Sequence, residues 1–291
     1  MQGPIAQIIA LTLYGNAIAK GYSVNIEKFF PSNSTFSFCE YVKFVDLIKV
    51  NGKLEEVLFA ANPNDWLMKL KREGVIALRL IYGPSGDKNI SDRMSVGFVG
   101  GGGRWLIETI RPKGSDFWEA RWVVGNKDHP EKLIWQVTYG RIATRQKTSL
   151  LKARQISQIK EDLAKTLRQI SAFAQKHNLD GFAGAFEKGY VALYSKTPYS
   201  DVYHKDISPD DLLSLEANQL LATSQAAWVF GGMGSWNDLG FDGKDQHEYE
   251  RLSDKLYQLL NESYIVAVNS VTSENSETIN NSGKPWWQFW K

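Results

Sequence analysis

Short runs in which every second residue is apolar dominate the first half of the sequence. Phe117–Val124, "FWEARWVV", places both tryptophans on one side and its charged residues on the other, and Leu133–Tyr139, "LIWQVTY", repeats the pattern. Such alternation, joined by short turn-rich links, is typical of antiparallel strands with one covered face. We therefore expect an antiparallel meander of four or five strands, which also includes Val75–Tyr82, "MSVGFV" and "RWLIETI". A further hairpin is expected within "STFSFCEYVKFVDLIKV".

One short helix is expected among these strands, in "NPNDWLMKLKREG". Asn62 is a favoured N-cap residue, Pro63 suits the first helical position, and Gly74 follows the last turn. These three signals together predict both ends of the helix.

The second half of the sequence has the period of helices. In "LLKARQISQIKEDLAKTLRQISAFAQKHN" apolar residues recur every three or four positions, as on an amphipathic helix. A second helix is expected to start at Ser208 and Pro209, and a third covers "DQHEYERLSDKLYQLLNESYIVAVNS". The fold class predicted is therefore α+β: an antiparallel meander sheet with a short helix at residues 1–145, and a helical bundle at residues 146–270 packed on or beside the sheet. Residues 271–291 form a polar linker and an aromatic tail.

Four consecutive glycines, Gly100–Gly103, interrupt the strand pattern. A phosphate-binding loop needs a helix after it, because the helix N-terminus supplies converging N–H groups, and "RWLIETI" instead continues as a strand. The glycines are therefore interpreted as the tip of a hairpin that needs positive φ at several positions. A turn without side chains would still let the backbone of a partner approach closely.

The net charge of +2 hides an uneven distribution. Residues 141–176 hold nine Lys or Arg against two acids, and residues 201–262 hold four against twelve. Arg154, Lys165 and Arg168 lie opposite the apolar stripe of the first long helix. Three interpretations stay open for this face: a solvated surface, a docking surface for an acidic protein, and a nucleic-acid stripe.

No pattern in the sequence indicates an active site. Cys39 is the single cysteine and is expected to be a small buried apolar residue, and neither a metal-ligand spacing nor a G-x-S-x-G motif occurs. We expect no cofactor, no metal and no catalytic residue. The alternative is an enzyme whose site lies between the two halves and is assembled from Asp238, Asp242, His247 and strand residues such as Glu119 or Arg121.

Two aromatic segments are candidate binding sites for another protein. In "AWVFGGMGSWNDLGF", Trp236 and Asp238 follow a glycine turn and are expected as a partner site if they are exposed. In "KPWWQFWK", Trp286, Trp287, Phe289 and Trp290 follow a polar linker. These four side chains are expected to dock on their own domain, in a groove of another protein, or at a membrane interface.

The stretch "AWVFGGMGSWNDLGF" and the helix "YERLSDKLYQLLNESYIVAVNS" resemble the C-terminal ends of uncharacterised bacterial proteins, some of which belong with the immunity or accessory proteins of bacterial toxin systems. The resemblance implies a bacterial protein that binds another protein. Without a leader-like N-terminus or an apolar run of membrane-spanning length, a cytoplasmic location is expected. The partner expected is another protein or a second copy of this chain, with nucleic acid as the lesser alternative.

Overall fold

A computed structural model describes residues 1–87, 89–98, 100–148 and 154–275. These residues form seven α-helices and six strands: α1 (Gly3–Ala19), β1 (Cys39–Val50), β2 (Lys53–Ala60), α2 (Pro63–Arg72), β3 (Ala77–Gly83), α3 (Asp92–Ser95), β4 (Arg104–Arg111), β5 (Gly114–Val124), β6 (Trp135–Gln146), α4 (Ile156–Lys176), α5 (Asp180–Ala192), α6 (Leu215–Ala226) and α7 (Gly243–Asn269). Single 3₁₀ turns occur at Ile26–Lys28, Ser34–Phe36, Trp236–Asp238 and Ser270–Asn275. The α+β class is as predicted.

The six strands form one mixed sheet with the order β2-β1-β6-β5-β4-β3. Strands β3 to β6 form the predicted antiparallel meander. However, β1 pairs in parallel with β6, with Val42 opposite Val137, so the prediction of a purely antiparallel sheet was wrong. The cause is the chain path: after the β1–β2 hairpin the chain continues through α2 to the opposite edge of the sheet, and the meander then returns to β1.

The hairpin of the first strands lies later than predicted. β1 pairs with β2, and the two strands are joined by Asn51 and Gly52, which have φ values of 50° and 82°. Two positive φ values in a two-residue loop are the geometry that matches the twist of the flanking strands. The segment that precedes β1, Ser34–Phe36, is a 3₁₀ turn rather than a strand.

The helix α2 begins and ends as predicted. The side chain of Asn62 accepts a hydrogen bond from the N–H of Asp65 at 2.9 Å, and Pro63 is the first helical residue. Gly74 follows the helix with a φ of 74°, which favours glycine. The buried side of α2, which includes Trp66, packs on β1 and β2.

The stretch "MSVGFV" does not form a strand. Its first two residues end the short helix α3, which is capped by Ser91, and residues 96–98 belong to the loop before β4. The Ser91 side chain accepts a hydrogen bond from the N–H of Met94 at 3.3 Å, so a local capping signal prevails over the weak alternation.

The second half of the described chain is helical, but its boundaries differ from the prediction. α4 and α7 agree with it, whereas α5 was missed. α6 begins at Leu215 rather than at Ser208, because Ser214 caps it by accepting from the N–H of Ala217 at 3.2 Å and Asp211 has a φ of 58°. α4 packs against α5 and α7, and α6 packs against α5 and α7.

Helix α1 joins the two halves of the molecule. It contacts β3 and β4 as well as α7, and apolar residues from all around its circumference are buried. A single cluster of buried apolar residues contains members from α1, the sheet and α4–α7. The division at residue 145 stays a prediction. Within the described ranges, none of the helices combines the length and the hydropathy that a membrane span requires.

Candidate functional site

A cavity of about 720 Å³ opens at one end of the sheet. Its walls come from the N-terminal end of α1, the Ser34–Phe36 turn, the loop before β4, the first residues of β4 and β6, and the second half of β5. Because neighbouring antiparallel strands begin and end at this edge, residues distant in the sequence meet here. This volume lies within the range typical of ligand pockets.

Aromatic side chains dominate the walls of the cavity. Six of them line it, which are Phe38, Phe98, Trp105, Trp122, Trp135 and Tyr203. Phe98 is 70% exposed, Tyr203 64% and Phe38 51%, whereas the three tryptophans are partly buried. The rings of Trp122 and Trp135 are in edge-to-face contact with their centroids 5.8 Å apart. The Nε1 atom of Trp122 is buried without a hydrogen-bond partner among the described residues.

The glycine loop forms one wall, and close packing explains its composition. A Cβ atom on Gly101 would lie 1.9 Å from the carbonyl oxygen of Ser95, and one on Gly97 would lie 2.4 Å from that of Gly231. The N–H groups of Gly101 and Gly102 already donate to Phe98 O and Ser95 Oγ, at 3.0 and 3.1 Å. The loop joins α3 to β4 and is not the tip of a hairpin, so that part of the prediction was wrong, whereas the positive φ values at Gly100, Gly102 and Gly103 are as predicted.

Neighbouring elements hold this loop in place. The Tyr257 hydroxyl of α7 donates to the Gly102 carbonyl at 3.0 Å, and Nε2 of Gln2 donates to the Val96 carbonyl at 2.6 Å. The wall of the cavity is thus attached to both α7 and the start of α1.

Ser34 and His204 also line the cavity, and Asp206 lies beside them. Oγ of Ser34 lies 2.9 Å from Nδ1 of His204 and forms a short hydrogen bond with Oδ1 of Asp206. The Ser34 N–H also donates to Oδ2 of Asp206 at 2.7 Å. Burial lowers the pKa of His204 to about 4, so its imidazole is neutral at pH 7.

This geometry differs from that of a catalytic triad. In a triad the histidine accepts the serine proton and the aspartate orients the histidine. Here the single hydroxyl proton of Ser34 is directed to the carboxylate of Asp206, so Nδ1 of His204 is the donor to Ser34 Oγ. The three residues fasten the Ser34–Phe36 turn to the loop around His204, and the histidine does not hold the position of the general base of a triad.

Cys39 lies in the cavity wall and is buried, as predicted. Burial raises the pKa of its thiol to about 11, and Nε2 of Gln7 lies 3.4 Å from its sulfur. Gln7 also accepts a hydrogen bond from the Tyr139 hydroxyl at 3.1 Å. A protonated, buried thiol is a poor nucleophile.

Ion pairs occupy the charged groups near the cavity. Nε of Arg104 donates to Glu119 at 2.8 Å, and Nη1 of Arg121 donates to Glu56 at 2.7 Å. The hydrogen bond to Glu119 raises the pKa of Arg104. Glu119 is therefore engaged by an arginine on the same face of the sheet.

The residues of the enzyme alternative do not come together. Glu119 and Arg121 line the cavity, but Asp238, Asp242 and His247 do not. Asp238 instead accepts from the N–H groups of Gly234 and Ser235, at 2.5 and 3.2 Å, and thereby closes the turn before it. No group of three or more histidine, cysteine or acidic residues that could hold a metal occurs in the described part of the chain.

Trp236 does not have the exposed position that its partner-binding role requires. It is fully buried, its Nε1 donates to Oγ of Ser253 at 2.7 Å, and its ring contacts Phe182 and Phe186 with centroids 5.1 Å apart. The glycine turn places the indole under α7 rather than on the surface. Asp238, two residues later, is exposed.

The predicted basic face of α4 is partly neutralised. Arg154 lies before α4 and not on it, and it pairs with Asp162 at 2.6 Å and with Glu262 at 3.0 Å. Arg168 is exposed and lies over the ring of Tyr190, 4.7 Å from its centroid, and Lys165 is exposed. Trp286, Trp287, Phe289 and Trp290 lie outside the described residues.

Sequence reasoning missed the cavity. Two signals pointed toward it: the side-chain-free glycine loop and the tryptophans that alternate along β5 and begin β6. The antiparallel pairing of β4, β5 and β6 brings these two features together, and the start of β1 and the loop around His204, which local patterns do not place, complete the cavity. No protein-family model, no curated protein and no solved structure matches the chain.

Proposed function

We propose that this protein is a cytoplasmic, non-enzymatic bacterial binding protein, which takes an aromatic-bearing peptide segment of a protein partner into the cavity at the end of its sheet. The supporting observation is that six aromatic side chains line one open cavity of about 720 Å³. Aromatic residues provide much of the binding energy at protein interfaces, because they bury a large area with little loss of rotamer entropy.

The distribution of these aromatic residues favours a peptide over a small molecule. The more exposed ones, Phe38, Phe98 and Tyr203, form the rim, and the tryptophans lie deeper. A small molecule would fill the interior and leave the rim in water, whereas a peptide would cover both. Contiguous exposed apolar groups commonly mark such interaction sites.

The polar groups of the cavity favour binding over catalysis. The Ser34 hydroxyl is engaged by Asp206, the Cys39 thiol has a raised pKa, and the Glu119 carboxylate is paired with Arg104. These three groups are thus each held by an internal partner or kept protonated.

The resemblance to immunity and accessory proteins of toxin systems accords with a partner that is another protein. In this proposal α4–α7 form a helical bundle that supports the glycine wall through Tyr257. A second copy of this chain is the alternative partner. Nucleic acid is the weaker choice, because the acidic residues of α4 and α7 pair with Arg154.

The proposal is tested with a random heptapeptide library displayed on phage and selected on the intact protein. We expect the selected peptides to be enriched in aromatic residues and to bind in calorimetric titrations. Phe98→Ala and Tyr203→Ala, which alter exposed side chains and spare the core, should each weaken the affinity about tenfold, the loss of one interface hot spot.

Tyr194→Ala is the matched control, because Tyr194 is also exposed but does not line the cavity. Its affinity for the selected peptides should equal that of the unaltered protein. Selection without aromatic enrichment, or equal affinities for all variants, would contradict the proposal. Binding of free indole as tight as that of the peptides would assign the cavity to a small molecule instead.

A further inference from the structure

A second, smaller pocket opens at the other end of the sheet. Its volume is about 290 Å³, just below the range of about 300–1,000 Å³ that is usual for ligand pockets, so it suits a small group. Its lining comes from the residue after α2, the last residue of β4, the hairpin between β4 and β5, and the end of β6. We call it the basic pocket, and its lining residues are Glu73, Arg111, Lys113, Gly114 and Arg145.

The basic pocket carries an excess of positive charge. Arg111 is held by two carboxylates, Glu73 at 2.5 Å and Asp116 at 2.6 Å. By contrast, neither Lys113 nor the guanidinium of Arg145 forms an ion pair with any residue of the described ranges, and both residues are exposed. With three cations and one carboxylate, the lining has a net charge of +2.

The backbone of Arg145 is strained. Near the end of β6 the strand has one residue more than β5, so that Thr144 and Arg145 form a bulge opposite Asp116. Arg145 has a φ of 52°, in the left-handed region that favours glycine and costs other residues energy. Its N–H donates to Oδ1 of Asp116 at 2.9 Å, and this bond holds the bulge.

The fold itself does not require an arginine at this bulge. The bond to Asp116 uses the backbone N–H of Arg145, which glycine would supply equally well and without strain. The guanidinium makes no hydrogen bond within the described ranges. Bulges often direct a side chain toward a functional site, and strained residues cluster at such sites. We therefore attribute the arginine to the pocket that it lines.

Asp116 fixes the other parts of the basic pocket. It is 1% exposed, and its Oδ2 accepts from Nη1 of Arg111 and from Nη1 of Arg141, at 2.6 and 3.2 Å. Its Oδ1 accepts from the N–H of Arg145. One buried carboxylate thus holds both the bulge and the Arg111 guanidinium in place. Such preorganisation lowers the entropy that binding costs.

We infer that the basic pocket binds the phosphate group of a phosphate monoester. This group carries a charge of about −1.5 to −2 at pH 7, which complements the net charge of the lining. Arginine offers a planar set of donors to phosphate oxygens, and lysine adds a compact positive charge. The phosphate belongs either to a free small molecule or to a phosphorylated residue of a protein. The basic pocket and the cavity lie at opposite ends of β4, β5 and β6, so the inference does not depend on the proposed function.

The test is calorimetric titration of the full chain with O-phospho-L-serine, and L-serine is the control ligand. A glycine-rich heptapeptide with one central phosphoserine, and the same peptide without the phosphate, form a second pair. We expect saturable binding of the phosphorylated ligands alone. Tighter binding of the phosphopeptide would identify a protein as the source of the phosphate, and equal or weaker binding would identify a small molecule. Absence of binding by both phosphorylated ligands, or equal binding of L-serine, would overturn the inference.

Arg145→Gly separates binding from stability, because glycine keeps the positive φ and removes the guanidinium. The affinity for O-phospho-L-serine should fall about tenfold, the loss of one hydrogen bond to a charged group. The urea midpoint should stay the same or rise, because the strain is relieved. Lys113→Gln, on the exposed hairpin, should weaken binding to a similar extent.

Lys147→Gln is the matched control, because Lys147 is exposed two residues after Arg145 but does not line the pocket. Its affinity should equal that of the unaltered protein. Three results would each overturn the inference: unchanged affinity in both Arg145→Gly and Lys113→Gln, an equal loss in Lys147→Gln, and a lower urea midpoint of Arg145→Gly. The last of these would mean that the arginine serves the fold.

Discussion

The side-chain amide of Asn16 forms with the backbone of Leu78 the two hydrogen bonds that a neighbouring strand would form. Its Nδ2 donates to the Leu78 carbonyl and its Oδ1 accepts from the Leu78 N–H, both at 2.8 Å. Asn269 forms the same pair of bonds with Leu80, at 2.8 and 2.9 Å. β3 is an edge strand, and an open edge exposes unpaired backbone groups to other chains. Two asparagines from α1 and α7 thus close this edge and attach both helices to the sheet.

Asn16→Ala should destabilise the protein by about 2–4 kcal/mol, because it leaves a buried N–H and a buried carbonyl of β3 without partners. Urea unfolding followed by circular dichroism measures this difference in the free energy of unfolding. Asn269→Ala is the comparison: Asn269 is only partly buried, so water can replace its bonds, and its effect should be smaller. A larger effect of Asn269→Ala than of Asn16→Ala would contradict this account.

The local elements of the fold could be predicted because their signals are contained in a few neighbouring residues. The cap at Asn62, the proline at Pro63 and the glycine at Gly74 determine where α2 begins and ends. The alternation of Phe117–Val124 likewise predicts β5. By contrast, the start of α6 was predicted at the wrong serine. Ser208, followed by Pro209, has the same capping chemistry as Ser214, and the tertiary structure determines that Ser214 caps the helix.

The long-range features could not be predicted from the sequence alone. The parallel pairing of β1 with β6 joins Val42 to Val137, which are separated by most of the first half. The cavity then depends on this pairing, and on His204 being brought to Ser34. The burial of Trp236 could not be predicted either. A tryptophan after a glycine turn has the same sequence pattern whether it is exposed or buried, and it is the position of α7 that buries this one.

Trp236→Ala should destabilise the protein by about 3–5 kcal/mol, the range for removal of a large buried aromatic side chain. The indole fills space between Phe182 and Phe186 and bonds to Ser253. Trp236→Phe keeps most of the ring and loses the N–H, so its effect should be smaller. The measurement is again the free energy of unfolding in urea. A loss of partner binding by Trp236→Ala with unchanged stability would restore a surface role for this residue.

His204 should make the stability of the protein depend on pH in the mildly acidic range. Burial lowers its pKa to about 4 in the folded protein, whereas an unperturbed histidine titrates near 6.5. Between these values the unfolded chain binds a proton that the folded protein does not, so acid favours unfolding. The contribution is fully present above pH 6.5 and is lost as the pH falls toward 4, at a rate of up to about 1.4 kcal/mol per pH unit.

His204→Asn isolates this contribution, because asparagine keeps a hydrogen-bonding group near Ser34 but does not titrate. The free energy of unfolding is measured for both proteins at pH 7, 5.5 and 4.5. We expect the difference between them to shrink or reverse in favour of the variant as the pH falls. A constant difference across the three pH values would show that the folded protein binds the proton as readily as the unfolded chain does.

Two adjacent glycines in the loop before β4 should respond differently to the same substitution. Gly100 has a φ of 80° and open space where a Cβ would lie, so Gly100→Ala should destabilise the protein by about 1–2 kcal/mol through backbone strain alone. At Gly101 a Cβ would lie 1.9 Å from the Ser95 carbonyl, so the loop must move. Gly101→Ala should then destabilise by about 3 kcal/mol, the upper end of overpacking effects.

Gly181→Ala is the control for these variants, because Gly181 lies in α5 with open space around it. The Gly181→Ala protein should be more stable than the unaltered protein by about 0.5–1 kcal/mol. Since Gly102 bonds to Tyr257 and the loop adjoins Trp105, the Gly101→Ala protein should also show a shifted tryptophan emission maximum. Gly100→Ala should leave the emission unchanged. Equal losses of stability for Gly100→Ala and Gly101→Ala would contradict close packing against Ser95 as the reason for glycine at position 101.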